Sequence, residues 1–192
     1  MLATGYGEVT RNSSGVRVSG SKRSFTKMAF NAFVNFGDIK GEVLEKDHKD
    51  WVAATKVTFS VSQPASFTRQ SAGGGTAEAV EFSALTIEKA IDKASPKLFE
   101  AACKGTHIPE VTIDYQKASG DSPIKYLEIK LKEVIISGIS HNADPKGDYQ
   151  FPLEQVSMTF GAIEKTYTQQ KADGKAGGNV AAKWNVSQGA AA

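Results

Sequence analysis

Ile91-Asp92-Lys93-Ala94-Ser95-Pro96-Lys97-Leu98 is the stretch that decides the fold. It places turn, cap and helix-start signals together, and a short amphipathic segment follows that stops at Gly105-Thr106-His107. Ser95 suits the cap through its hydroxyl, Pro96 the first helical position, and Gly105 the left-handed residue that ends a helix. Leu98, Ala101, Ala102 and Cys103 are expected along one apolar face. On either side the apolar residues recur with period two, not 3.6. The expectation is therefore a β domain with one helix strapped across it.

Working towards the N-terminus, Val57, Phe59 and Val61 alternate with Thr58, Ser60 and Ser62. Such a strand has one face for a core and one of small hydroxyls for water. Phe30, Ala32, Val34 and Phe36 alternate likewise with Asn31, Phe33 and Asn35. Residues 63–79 read as a long loop centred on Gly73-Gly74-Gly75, and loops of that length in compact domains are usually functional or mobile. No Lys-Ser/Thr follows the glycines, which removes a phosphate cradle.

Towards the C-terminus, Val111, Ile113 and Tyr115 alternate with Thr112, Asp114 and Gln116. Leu127, Ile129 and Leu131 do the same, and then the phase slips to Val134 and Ile136. That slip predicts a β-bulge near Lys132-Glu133, and Val156, Met158 and Phe160 giving way to Ile163 predicts another bend. The Gly- and Ala-rich tail, 171–192, is expected to be pinned near Trp184 and frayed beyond it.

The chain has 192 residues, a net charge of +2 and a single cysteine, Cys103. One domain is the natural prior, and no internal disulfide is possible. Cys103 is read as a small hydrophobe in the helix stripe. No stretch approaches the roughly 20 apolar residues of a membrane span, and no apolar leader segment is present. Residues 1–27 carry Arg11, Arg17, Lys22, Arg23 and Lys27 against Glu8. They read either as a disordered basic arm or as translated leader upstream of a start at Met28. Within the domain no Lys/Arg cluster interleaves with aromatics, so nucleic acid is not the expected partner.

The chemistry-bearing residues are scattered. His48, His107 and His141 have no second ligand at metal spacing, and no Gly-x-Ser-x-Gly elbow occurs. Asp47-His48 reads as part of a solvated charged loop, and Asp114 and Glu128 as solvent-facing strand residues. No catalytic, cofactor or metal site is expected. The readings left open are an enzyme using His48 or Cys103 and a β-barrel that binds a small ligand.

In order along the chain stand Phe36-Gly37-Asp38-Ile39-Lys40-Gly41-Glu42, Asp47-His48, Ser62-Gln63-Pro64 and Ile91-Asp92-Lys93-Ala94-Ser95-Pro96. Cys103-Lys104-Gly105-Thr106-His107, Leu131-Lys132-Glu133-Val134 and Gln170-Lys171-Ala172-Asp173-Gly174-Lys175 with Gly177-Gly178 follow. Taken together, these stretches resemble the Hcp (haemolysin-coregulated protein) family of type VI secretion systems. The likeness covers the chain from Met28 onward, with a domain over 28–170. The resemblance implies a mainly β fold, two sheets in a small barrel or sandwich with one flanking helix and a long extended loop. It also implies a homohexameric ring that stacks into a tube within a contractile sheath, capped by a spike protein. Small effectors would ride in the lumen, and the protein would wait in the cytoplasm and then be secreted without a signal peptide. Thr58 matches the family's small lumen residue, with Ser60 and Ser62 beside it. Gly73, Gly74 and Gly75 match the loop that touches the next ring.

Overall fold

The computed structural model describes residues 30–66, 76–77, 79–117, 123–143, 152–171 and 176–191. In chain order the elements are β1 (Phe30–Asn35), a 3-10 turn (Lys46–His48), β2 (Val52–Ala54), β3 (Lys56–Thr58) and β4 (Val61–Ser62). Next come β5 (Ala65–Ser66), β6 (Thr76–Ala77), β7 (Glu81–Phe82), β8 (Leu85–Ala90) and α1 (Ser95–Lys104). Three long strands and a shorter one complete it: β9 (His107–Lys117), β10 (Ile124–Asn142), β11 (Leu153–Gln170) and β12 (Ala176–Asn185). The fold is mainly β with one short helix among the described residues.

Eight strands form an antiparallel sheet, seven in the order β2-β1-β9-β10-β11-β8-β3 and the eighth, β12, paired with β11 off this path. β8 pairs with the first part of β11, and β12 with the last part. Only Thr55 separates β2 from β3, so both ends of the order belong to one chain segment. Its first half pairs with β1 and its second half with β8. The sheet therefore bends over on itself in two layers. Leu85, Ile87, Ile113, Leu131 and Met158 lie fully buried between them.

The fold line of the sheet is visible in the burial. Buried residues step by three, from Ile108 to Val111 on β9 and from Leu131 to Val134 on β10, and Phe160 gives way to Ile163 on β11. The pairing on either side sets Pro109, Glu133 and Gly161 in one transverse row. The bulge expected at Lys132-Glu133 is not there: register runs through unbroken and shifts instead at Lys125/Leu127 and Ile136/Gly138. Three neighbouring strands change phase together, so none needs an extra residue. Glu133 turns the chain by taking a left-handed φ of 52°. A Cβ on Gly161 would sit 3.2 Å from that of Glu133, which is why the opposing residue is glycine.

α1 begins and ends as its sequence suggests, with one exception. Pro96 sits in the first turn, and Gly105 closes the helix at φ 61°, with Thr106 N–H donating to the Ala101 carbonyl at 3.0 Å. The N-cap is Ala94, and no side chain caps it. The Ser95 hydroxyl faces inward instead. It accepts from Lys89 Nζ (3.0 Å) and the Asp92 N–H (3.1 Å) and lies 3.0 Å from Glu154 Oε1. A buried ion pair without this hydroxyl would be short of a hydrogen bond, whereas exposed helix N–H groups can use water. Leu98 and Ala101 are buried, but Cys103 is exposed, which corrects its reading as a core residue.

Other local expectations shift for tertiary reasons. Phe33, assigned to the outer face of β1, is buried like Ala32 and Val34, because the loop before β2 covers it. The tail is more extensively paired than an anchor at Trp184: β12 runs from Ala176, with Trp184 opposite Ile163 and packed on the core. Gly41 is wedged against the chain before β2, where an added Cβ would lie 2.2 Å from the Trp51 carbonyl oxygen. Gly41→Ala is expected to cost about 3 kcal/mol or more, the upper end of overpacking penalties, read as a lower denaturation midpoint. An unchanged midpoint would mean that the segment 37–43 moves freely.

Candidate functional site

The outer face of β3, β8 and β11 carries two successive polar rows, the first of them small. In register, Thr58 stands opposite Thr86, Thr86 opposite Ser157, and Ser157 opposite Gly138 of β10. Thr86 Oγ1 and Ser157 Oγ are 3.0 Å apart. The next row is Lys56, Glu88, Gln155 and Ser140. Beneath them Val57, Ile87 and Val156 form the core row, so strand alternation alone separates a smooth hydroxyl face from a packed one.

The strand expected over 57–61 is divided. β3 ends at Thr58, and β4 pairs with β7 in a separate two-stranded ribbon, Val61 with Phe82 and Ser62 with Glu81. Ser60 N–H donates to Ser83 Oγ at 2.8 Å between the two. Thr58 therefore belongs to the hydroxyl face, while Ser60 and Ser62 lie along the root of an arm. Val61, half exposed, faces solvent and not the core. The arm continues as β5 paired with β6. Gly73, Gly74 and Gly75 lie outside the described residues. Phe59, Phe82 and Phe160 clamp the root, with ring centroids 6.0–6.3 Å apart. Such aromatic pairs contribute about 0.5–1.5 kcal/mol each beyond the area they bury.

His48 is the largest correction to the sequence reading. It is 3% exposed, not solvated. Nδ1 lies 2.6 Å from Glu45 Oε2, and Nε2 lies 3.0 Å from Asp114 Oδ2. Phe33 stacks on the ring at 4.5 Å, and Trp51 meets it edge-on at 4.6 Å. Asp114, expected to face solvent, is 4% exposed because the turn Lys46–His48 folds over it. Both imidazole nitrogens face carboxylates, so neither is free to act as a base on a substrate. Among the described residues no group of His, Cys, Asp and Glu could hold a metal ion.

A second buried ion pair lies under the start of α1. Lys89 Nζ is 3.0 Å from Glu154 Oε1, both side chains are fully buried, and Asp92 approaches the same ammonium at 2.7 Å. His141 Nε2 reaches Glu154 Oε2 at 2.8 Å. Burial opposes ionisation of Glu154, but the hydrogen bonds from Lys89, His141 and Ser95 outweigh it and hold the carboxyl below its ordinary 4.5. The hydrogen bond from His48 lowers Glu45 similarly. Folded values below unfolded ones mean stabilisation that is complete at neutral pH and lost as pH falls through the folded values. The thermal midpoint is expected to stay nearly level from pH 7 to about 5 and to drop below about 4.5. A midpoint at pH 3 equal to that at pH 7 would contradict this.

Sequence reading singled out Thr58 but missed Thr86, Ser157 and Gly138. Each sits at an ordinary alternating position, and only the pairing register shows that they share a row. The buried ions were missed for the same reason. His141-to-Glu154 and Lys89-to-Glu154 contacts join distant parts of the chain, with no spacing to reveal them.

Residues 33–167 match a protein family described as "Type VI secretion system effector, Hcp". The chain is 36% identical over 162 residues to protein hcp1 of Pseudomonas aeruginosa, covering 84% of this chain and 98% of that one. Among solved structures, one described as a type six secretion system protein aligns with a TM-score of 0.79 at 22% identity, over 85% of this chain and all of the other. Hcp1 from Salmonella typhimurium aligns at 0.71 with 23% identity, over 86% of this chain and all of that one. A type VI secretion system effector from Yersinia pestis aligns at 0.65 with 26% identity, over 81% and 99%. With the fold, the long match and the close relative in agreement, this chain belongs to the Hcp family of type VI secretion proteins.

Proposed function

We propose that the chain is a structural subunit of a secreted tube. Six copies associate into a ring, rings stack, and the hydroxyl face of β3, β8 and β11 lines the bore. The observation that carries this is the pair of rows from Thr58 to Gly138 and from Lys56 to Ser140, in which no side chain is apolar. A polar surface stays hydrated and lets varied cargo pass without gripping it, whereas an apolar wall would bind. Small secreted effectors are the cargo, a spike protein caps the tube and a contractile sheath surrounds it. The arm rooted at Phe59, Phe82 and Phe160 makes the contact with the next ring. A heterologous contact that closes gives the ring, and a second repeated contact gives the stack. The subunit is made in the cytoplasm and leaves on firing. The small-ligand barrel would need the space between the layers that Leu85, Ile87, Leu131 and Met158 fill.

Negative-stain electron microscopy of the purified chain tests this directly. Six-fold rings with an open centre are expected, and featureless monomers at micromolar concentration would overturn it. Thr58→Gln places a longer side chain at the exposed end of β3. Rings should still form, with effector carriage reduced by about tenfold, the effect of roughly 1.4 kcal/mol. Normal export by that variant would remove Thr58 from the bore.

A further inference from the structure

Leu44 is the most exposed large apolar side chain among the described residues, at 91%. A lone exposed leucine is ordinary on a protein surface, but this one stands on a fixed turn. Val43 N–H donates to the Trp51 carbonyl at 3.1 Å, and the Val43 carbonyl accepts from the Asp50 N–H at 2.9 Å. Glu45, the next residue, is tied to His48, which is held in turn by Asp114 and by the Phe33 and Trp51 rings. Leu44 is thus presented in one place, and little conformational freedom is lost when a partner closes over it. Asp47 on the same turn is exposed, and its carboxylate has no hydrogen-bond or ion-pair partner among the described residues.

A cavity of about 190 Å³ lies on another part of the chain, where β10, β11 and β12 run side by side. Lys132, Ala162, Ile163, Glu164, Lys183 and Asn185 line it. Small-molecule sites begin at roughly 300 Å³, so this one suits a single side chain. Ala162 and Ile163 supply apolar wall, and lysine stems extend such a wall. Lys183 is neutralised by Glu164 at 3.1 Å. Lys132 is exposed and has no ion-pair partner among the described residues. An apolar knob beside an unpaired carboxylate therefore faces the complement of an apolar hole beside an unpaired ammonium. We propose that Leu44 of one copy seats in this cavity of the next copy, with Asp47 meeting Lys132 across the contact. Knob and hole come from different parts of the chain, so the contact is heterologous and repeats from copy to copy. It rests on the reading of the chain as a subunit that assembles with its own kind, and it names the residues that join two subunits.

Oxidative cross-linking of the full chain tests this, with Cys103→Ser as the background because Cys103 is exposed. Leu44→Cys combined with Ala162→Cys should give a ladder of covalent multimers on non-reducing gels, and neither cysteine alone should pass a dimer. A ladder that ends at six places the contact inside the ring, and one that continues places it between rings. A ladder that ends at two would make the contact reciprocal and overturn the proposal. Leu44→Ser should leave the thermal midpoint unchanged and weaken assembly about tenfold by sedimentation, with Leu44→Met restoring it. Asp47→Lys should weaken assembly as well, and Lys132→Glu in the same chain should recover it. A parent that assembles, with no ladder from the paired cysteines and equal assembly of Leu44→Ser, would overturn this contact and leave the tube reading standing. A parent that stays monomeric would overturn both.

Discussion

Lys89→Met is expected to destabilise the protein by about 3–5 kcal/mol, the cost of leaving one partner of a buried ion pair uncompensated. Methionine matches the length of the lysine stem, so little packing is lost and the loss is mainly electrostatic. Glu154, with no exposed surface, would keep only Ser95 and His141 as donors. It would either stay charged at high cost or take up a proton. The damage should spread to the start of α1, since Lys89 also holds Asp92 and the Ser95 hydroxyl. Adding Glu154→Gln removes the orphan charge and keeps a side chain able to meet Ser95, so the double variant should recover more than half of the loss. Denaturant midpoints of the two singles and the double measure this. A Lys89→Met protein within about 1 kcal/mol of the parent would show that the pair contributes no more than a surface ion pair.

His48→Ala should have an effect of similar size, about 3 kcal/mol, through three losses at once. Asp114 loses the nearer of the two groups on Oδ2, keeping only Lys125 at 3.4 Å, while its Oδ1 already has no donor. Glu45 loses the partner that joins the loop to the sheet, and Phe33 loses the ring stacked on it. Without these contacts the segment between β1 and β2 is expected to open, exposing the outer face of β1. Amide hydrogen exchange should rise across residues 41–51, where the protected bonds include Gly41 N–H to the Asp50 carbonyl at 2.7 Å. Asp114→Ala in the same chain should restore part of the stability by removing the buried charge. Exchange that rises evenly over the whole chain would mean global destabilisation and not release of this loop.

The contrast between these residues and the helix shows where sequence reading succeeds. Pro96 and Gly105 were legible because their roles rest on local backbone geometry, a fixed φ at one end of α1 and a left-handed φ at the other. The alternations around Val57, Ile113 and Ile129 were legible because strand period assigns each side chain to a face. Period says nothing about what covers that face. Asp114 alternates outward from the core as expected, yet the turn at Lys46–His48 folds over it and turns an outer face into a second, smaller interior. Ser95 carried a cap signal, but the Lys89–Glu154 pair beneath it competed for the same hydroxyl. Likewise the phase slip at Lys132-Glu133 was present in the sequence, and its meaning was not. A single strand reads it as an inserted residue, whereas three strands slipping along the row Pro109, Glu133 and Gly161 make a fold line. By itself, then, the sequence determined the β class, the single helix with its ends, and the resemblance that the family match bears out. The partners of every buried charge, and the row that joins Thr58 to Thr86 and Ser157, were decided by tertiary structure. They depend on pairings between residues far apart in the chain, and local periodicity carries no record of which strands will meet.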